Sequence, residues 1–173
     1  MFRKRNGMID TLRCEICGVV MHLKRLIPAM IAGAALIIIS WMYFGGPCRV
    51  TMFFRIPGGG ITIAAYYIFW LIFFALAGGE CVLIITFGRR CRGNRVILFH
   101  VAAHMCLLLW YPLFFTAFAQ FLALLIIIAA IVLLILEAKE AVEIMCLLPV
   151  LCCIKAAILV LFAYVNLAFL IIN

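Results

Sequence analysis

The chain contains few charged residues. Asp, Glu, Lys and Arg make up 12% of its 173 residues, whereas 71% are hydrophobic, and a soluble domain carries roughly twice that charged fraction. Residues Val96–Leu136, forty-one in all, include none of the four charged types. A helix of that length would measure about 61 Å, which is twice the ~30 Å hydrocarbon core of a bilayer. The run therefore predicts two membrane crossings, with a turn near Thr116–Gln120.

Regular alternation of apolar and polar residues is also missing from the apolar blocks. Transmembrane β-strands need that alternation, so these blocks favour helices, whose backbone groups are satisfied within one segment. We predict an all-α integral membrane domain, residues 26–173, with five transmembrane helices. Before it, residues 1–25 are predicted to form a cytoplasmic segment that is amphipathic or flexible. The approximate predicted spans are 26–46, 61–88, 96–116, 120–137 and 146–172.

Basic residues are distributed unevenly between the two predicted faces of the membrane. Eleven Lys and Arg residues fall on the side of the N-terminus, and two, Arg49 and Arg55, fall in the first loop. Because basic residues stay on the inner side, we expect the N-terminus in the cytoplasm and the C-terminus outside, in a plasma membrane. The net charge of +8 is then a topology signal, so we expect membrane lipid as a partner and no nucleic acid.

Residues for covalent catalysis are scarce. Ser40 is the only serine, and neither a Ser–His–acid set nor a metalloprotease motif is present, so we do not expect an enzyme. The nine cysteines mostly fall in or beside the spans, where Cys acts as a small apolar residue. Cys14 and Cys17, with His22, are an alternative metal or redox site. We predict no bound metal and no required cofactor.

Three ionisable residues lie within the predicted spans at a common depth. Glu80, His104 and Lys155 are each seven or eight residues from the cytoplasmic end of a span, roughly 10–12 Å deep. Intramembrane ionisable groups are costly and are candidates for function. Three interpretations remain open. The three residues form a structural charge layer, or they form a site for a ligand or a proton, or Lys155 extends its side chain to the membrane surface by snorkelling. His100 lies on the same helix face as His104. Together the two imidazoles would provide two of the four ligands that a zinc ion needs, so two further ligands would be required.

The outer half of the predicted bundle is aromatic. Trp41, Trp70, Trp110, Tyr111 and Asn166 lie roughly 20–27 Å from the inner boundary. Such residues form either an interfacial belt or the wall of a cavity for a flat apolar ligand. A Pro- and Gly-rich first loop would cover that cavity.

Short motifs in the chain resemble those of a known family. The segment Trp110–Phe115 resembles the W-x-P-x-F-F motif of the translocator protein family (TspO/MBR, the tryptophan-rich sensory proteins). Trp70, Phe74 and Gly78 match the spacing of its W-x3-Y-x3-G motif, and Phe162–Asn166 resembles its F-A-x-x-L-N segment, one residue shorter. The chain is thus similar to a divergent member of that family.

The resemblance implies a five-helix bundle, often a homodimer, that acts as a membrane receptor or sensor. Its ligand would be a flat hydrophobic molecule such as a porphyrin, a haem-like tetrapyrrole or a sterol, and porphyrin degradation is the one enzymatic activity it implies. The alternative is a small transporter, or an accessory transport subunit, that uses the Glu80, His104 and Lys155 layer. Carried over by position, the ligand-binding residues are Trp70, Phe74, Trp110, Phe114 and Asn166, and the lid residues are Pro57, Gly58, Gly59 and Gly60.

Overall fold

Five long α-helices make up nearly all of the described structure. The computed structural model describes residues 16–44, 63–88, 93–115 and 117–172. Within those ranges there is no β-strand, and every one of the five helices is long and apolar enough to cross a membrane. This confirms the prediction of an all-α integral membrane bundle. The helices are α1 (Leu23–Phe44), α2 (Ile63–Phe87), α3 (Gly93–Phe115), α4 (Gln120–Ala141) and α5 (Leu147–Ile172).

The outer surface of the bundle is apolar. Large side chains such as Leu98, Phe121 and Ile135 have 58–64% of their surface exposed. Soluble proteins rarely expose apolar surface on this scale, whereas lipid tails accept it. The helices contain 22 to 26 residues and are about 33–39 Å long, which is sufficient to cross the hydrocarbon core.

Helices α1 and α2 cross with their backbones in contact. A Cβ atom added to Gly33 would lie 2.1 Å from the carbonyl oxygen of Phe74, and one added to Gly78 would lie 2.0 Å from that of Ala29. Only glycine fits at either position. This is the close approach through small residues that drives helix association in lipid, where no hydrophobic effect operates between helices.

Helices α3 and α4 form a hairpin within the uncharged run. Helix α3 ends at Phe115, and α4 begins at Gln120. The amide of Ala119 donates to the carbonyl of Leu113 (2.9 Å), and Phe118 has a φ of 53°, an unusual value for a residue with a bulky side chain. The hairpin makes the two helices antiparallel, so the start of α3 and the end of α4 lie at the same end of the bundle.

Three helix ends differ from the predicted spans by three or four residues. Helix α1 begins at Leu23 rather than at residue 26, α3 begins at Gly93 rather than at 96, and α4 continues to Ala141 rather than ending at 137. The difference in α4 matters because Glu137, the last residue of the predicted span, lies one turn inside α4 and is 1% exposed. The predicted lid residues, Pro57 to Gly60, lie outside the described residues.

Candidate functional site

Four ionisable side chains meet in the interior of the bundle, and each comes from a different helix. They are Glu80 of α2, His100 of α3, Glu137 of α4 and Lys155 of α5, and all four are buried. We call them the charge cluster. Each lies four to eight residues from the end of its helix, so the cluster is roughly 6–12 Å from the end of the bundle that is opposite the α3–α4 hairpin.

The first contact in the cluster joins α2 to α5. The ammonium Nζ of Lys155 contacts Oε2 of Glu80 in an ion pair, and both side chains are 0% exposed. The Lys155 nitrogen also lies 5.8 Å from the centre of the Phe73 ring, within the range of a cation–π contact. Lys155 therefore points into the protein, and the snorkelling interpretation is wrong.

The second contact joins α3 to α4. His100 donates through Nδ1 to Oε1 of Glu137 at 2.7 Å, and the same nitrogen lies 3.8 Å from Oε2 of Glu80. His100 thus lies between two carboxylates.

The charges of the cluster do not balance when both carboxylates are ionised and His100 is neutral. Two carboxylates supply −2 and one ammonium supplies +1, which leaves −1. Burying an uncompensated charge in a medium of low dielectric constant is expensive. Even after the surrounding protein relaxes, the free-energy cost is on the order of several kcal/mol for each ion. The cluster therefore requires one further positive charge, which a proton or a bound metal cation supplies.

Of the three residues in the predicted layer, two are in direct contact. Glu80 and Lys155 form the ion pair, whereas His104 donates through Nδ1 to the backbone carbonyl of His100 (2.6 Å), and its ring lies tilted beside the His100 ring, 4.2 Å between centroids. The histidine that contacts the carboxylates is His100, one turn away.

Glu137 is the member of the cluster that the sequence analysis missed. The signal for it was present, because Glu137 continues the buried face of α4 at helical spacing. That face consists of Ala123, Ile127, Ala130, Leu134, Glu137 and Ala141.

The five residues predicted to bind a flat ligand also lie together, about 15 Å from the charge cluster along α2 and α3. Trp70 stacks on Trp110 with 5.2 Å between ring centres and 23° between planes, and Trp110 stacks on Phe114 at 5.1 Å and 15°. Phe74 lies 5.7 Å from Trp70. Phe162 also stacks on Trp70. We call Trp70, Phe74, Trp110, Phe114 and Phe162 the aromatic core. All are at most 4% exposed, so a flat ligand would have to separate rings that now touch.

Asn166 connects the aromatic core to the start of α4. With its amide oriented so that oxygen faces donors, the oxygen accepts from Nε1 of Trp110 (3.3 Å) and from the amide of Leu124 (3.1 Å). Its nitrogen donates to the carbonyl of Gln120 (3.2 Å). Asn166 thereby satisfies polar groups of α3 and α4 that lipid cannot satisfy.

The alternative metal or redox site near the N-terminus is only partly described. Cys17 is exposed, and the ring of His22 packs edge-on against Phe87 at 5.6 Å. Cys14 lies outside the described residues. Among the described residues, the His, Cys, Asp and Glu side chains that approach one another as metal ligands would are Glu80, His100 and Glu137.

Comparison of the chain with protein-family models, with curated proteins and with solved structures finds no match to any of them.

Proposed function

We propose that the protein is a small membrane transporter, or a subunit of one, in which the charge cluster binds a cation partway across the bilayer. The observation that carries the proposal is that the cluster holds two buried carboxylates, Glu80 and Glu137, and one buried ammonium, Lys155, which pairs with Glu80. Such a cluster accepts one more positive charge. This develops the transporter alternative of the sequence analysis, with His100 and Glu137 added.

A purely structural charge layer would have a different composition. Structural pairs in lipid are matched in charge, because an unmatched charge costs more than the pair gains. Here one pair, Glu80 with Lys155, is matched, and the other, His100 with Glu137, is neutral overall only while it holds one additional proton. The exchangeable charge supports a role in cation binding.

The position of the cluster suggests a pathway with two parts. The cluster lies one or two helical turns from one end of the bundle, which the basic residues predict to be cytoplasmic. Toward the other end, the aromatic core around Trp70 and Trp110 fills the interior. Apolar constrictions act as gates in membrane proteins, so we propose the cluster as the binding station and the aromatic core as the barrier.

Flux measurements on purified protein in liposomes test this proposal. We expect the wild type to carry protons or divalent cations down an imposed gradient, as reported by dyes sealed inside, and Glu137→Gln to reduce the rate at least tenfold. Glu143→Gln is the matched control, because Glu143 is an exposed carboxylate just beyond the end of α4. Wild-type flux no faster than that of empty liposomes, or equal flux from both variants, would overturn the proposal.

A receptor or sensor for a flat hydrophobic ligand is the second candidate. It is supported by the gathering of Trp70, Phe74, Trp110, Phe114 and Asn166 in one place. Membership of the translocator protein family and a plasma-membrane location belong to the same proposal. We expect protoporphyrin to quench tryptophan fluorescence saturably, and Trp110→Phe to weaken that binding. Quenching that does not saturate would remove this candidate.

A further inference from the structure

We infer that Glu80, His100 and Glu137 form a binding site for a divalent transition-metal cation of the zinc and cobalt class. The inference rests on the proposed function only in treating the metal as the transported cation. Binding itself follows from the geometry of the three side chains and stands apart from transport.

The three donor groups are already close to the arrangement of metal ligands. Their ligand atoms all lie within 4.8 Å of one another, on buried side chains from three helices. Ligands at 2.0–2.2 Å from a zinc ion lie about 3–4 Å apart in a tetrahedral site. The 3.8 Å from Nδ1 of His100 to Oε2 of Glu80 already falls in that range. Small shifts of the two carboxylates would close the site.

Two carboxylate oxygens in the cluster lack a partner. Oε1 of Glu80 and Oε2 of Glu137 are buried and accept no hydrogen bond from the described part of the chain. Buried polar atoms nearly always have a partner, and an orphaned one calls for an unplaced ion or water. These atoms belong to side chains that are 0% and 1% exposed, so bulk solvent does not serve them. A metal cation would satisfy both.

The donor types indicate the class of metal. One imidazole with two carboxylates suits zinc, cobalt, iron or manganese, whereas calcium and magnesium take oxygen ligands only. Three protein ligands leave a fourth position open for water or cargo exchange. On binding, a bond forms between the metal and Nδ1, the imidazolium form of His100 loses its Nδ1 proton to solvent, and the ring remains a neutral imidazole with its proton on Nε2.

Lys155 tunes the affinity of this site. Its ammonium holds Oε2 of Glu80, and its positive charge repels an incoming cation. With the His100 proton lost on binding, a divalent ion changes the charge of the cluster from 0 to +1, and this excess positive charge favours release of the ion, as transport requires. Removing the charge of Lys155 should therefore strengthen metal binding, whereas a merely structural role for Lys155 predicts weaker binding or none.

Cobalt(II) is a suitable probe because its visible absorption reports coordination by protein ligands. We expect the purified full-length protein in detergent to bind Co²⁺ saturably, with ligand-field bands, and His100→Gln and Glu137→Gln each to weaken binding at least tenfold. Lys155→Met should bind at least tenfold more tightly. Glu143→Gln and Cys17→Ser are controls that leave the titration unchanged. Helical circular dichroism and size-exclusion profiles identify variants that retain the fold.

Failure of the inference can be distinguished from failure of transport. If the folded wild type shows no saturable Co²⁺ spectrum, or if His100→Gln leaves it unchanged, the metal site is wrong. Proton flux without metal binding would then leave the transport proposal in place. Metal binding without any flux would retain the site and remove transport. Weaker Co²⁺ binding by folded Lys155→Met would contradict the argument from charge.

Discussion

Nδ1 of His100 lies 2.7 Å from Oε1 of Glu137 and joins α3 to α4 at the end of the bundle opposite their hairpin. The hairpin therefore has a covalent connection at one end and a polar contact at the other. The same histidine lies 3.8 Å from Glu80, and this contact links the hairpin to the Glu80–Lys155 pair between α2 and α5. Four of the five helices are thus held at one level by ionisable side chains.

The ion pair of Glu80 and Lys155 should behave as a coupled unit. Glu80→Gln or Lys155→Met alone leaves the other residue buried without its partner, and we expect either change to cost about 3–5 kcal/mol of stability. The double variant removes both charges together and should lose much less than the sum of the two. Thermal unfolding of the single and double variants in detergent measures this coupling. Additive losses would contradict it.

Gly78 should tolerate no side chain. Its substitution by Ala would place Cβ 2.0 Å from the carbonyl oxygen of Ala29, a backbone atom, so α1 and α2 would have to separate. We expect Gly78→Ala to cost about 1–3 kcal/mol. Gly79→Ala is the matched control, because its Cβ would meet the flexible side chain of Met30 at 3.2 Å. Equal stability of the two variants would show that the helices are not in backbone contact.

Asn166→Leu should loosen the junction of α3, α4 and α5. The substitution leaves Nε1 of Trp110 without this acceptor and removes two hydrogen bonds to the backbone of α4. A buried donor without a partner costs about 1–3 kcal/mol. Thermal unfolding and the emission wavelength of Trp110 report the change, with Tyr164→Leu, at a lipid-facing position 69% exposed, as the control. Unchanged stability of Asn166→Leu would contradict the assigned contacts.

The fold was predictable because its signal is local. An uncharged run of forty-one residues cannot cross a bilayer once, so α3 and α4 follow from length alone. The α1–α2 crossing is less visible in sequence, because Gly33 and Gly78 do not form a repeated small-residue motif. Whether the two glycines lie at the contact depends on how α1 and α2 are rotated about their own axes.

The candidate site was only partly predictable, for two physical reasons. Counting residues from a helix end gives depth but not rotation, so Glu80 and Lys155 were placed at one level while His104 was chosen over His100. Glu137 directly follows the last apolar residue of its block, Leu136. The end of the apolar run therefore looked like the end of the span, whereas α4 continues to Ala141.

The most direct test of the central claim is cation flux from the Glu80→Gln/Lys155→Met double variant in liposomes. This variant removes both members of the matched pair and leaves the net charge of the cluster unchanged, so it should fold, as size exclusion and circular dichroism will verify. If the cluster is the cation-binding station, the folded double variant should transport at least tenfold more slowly than the wild type. Wild-type flux from a correctly folded double variant would contradict the account.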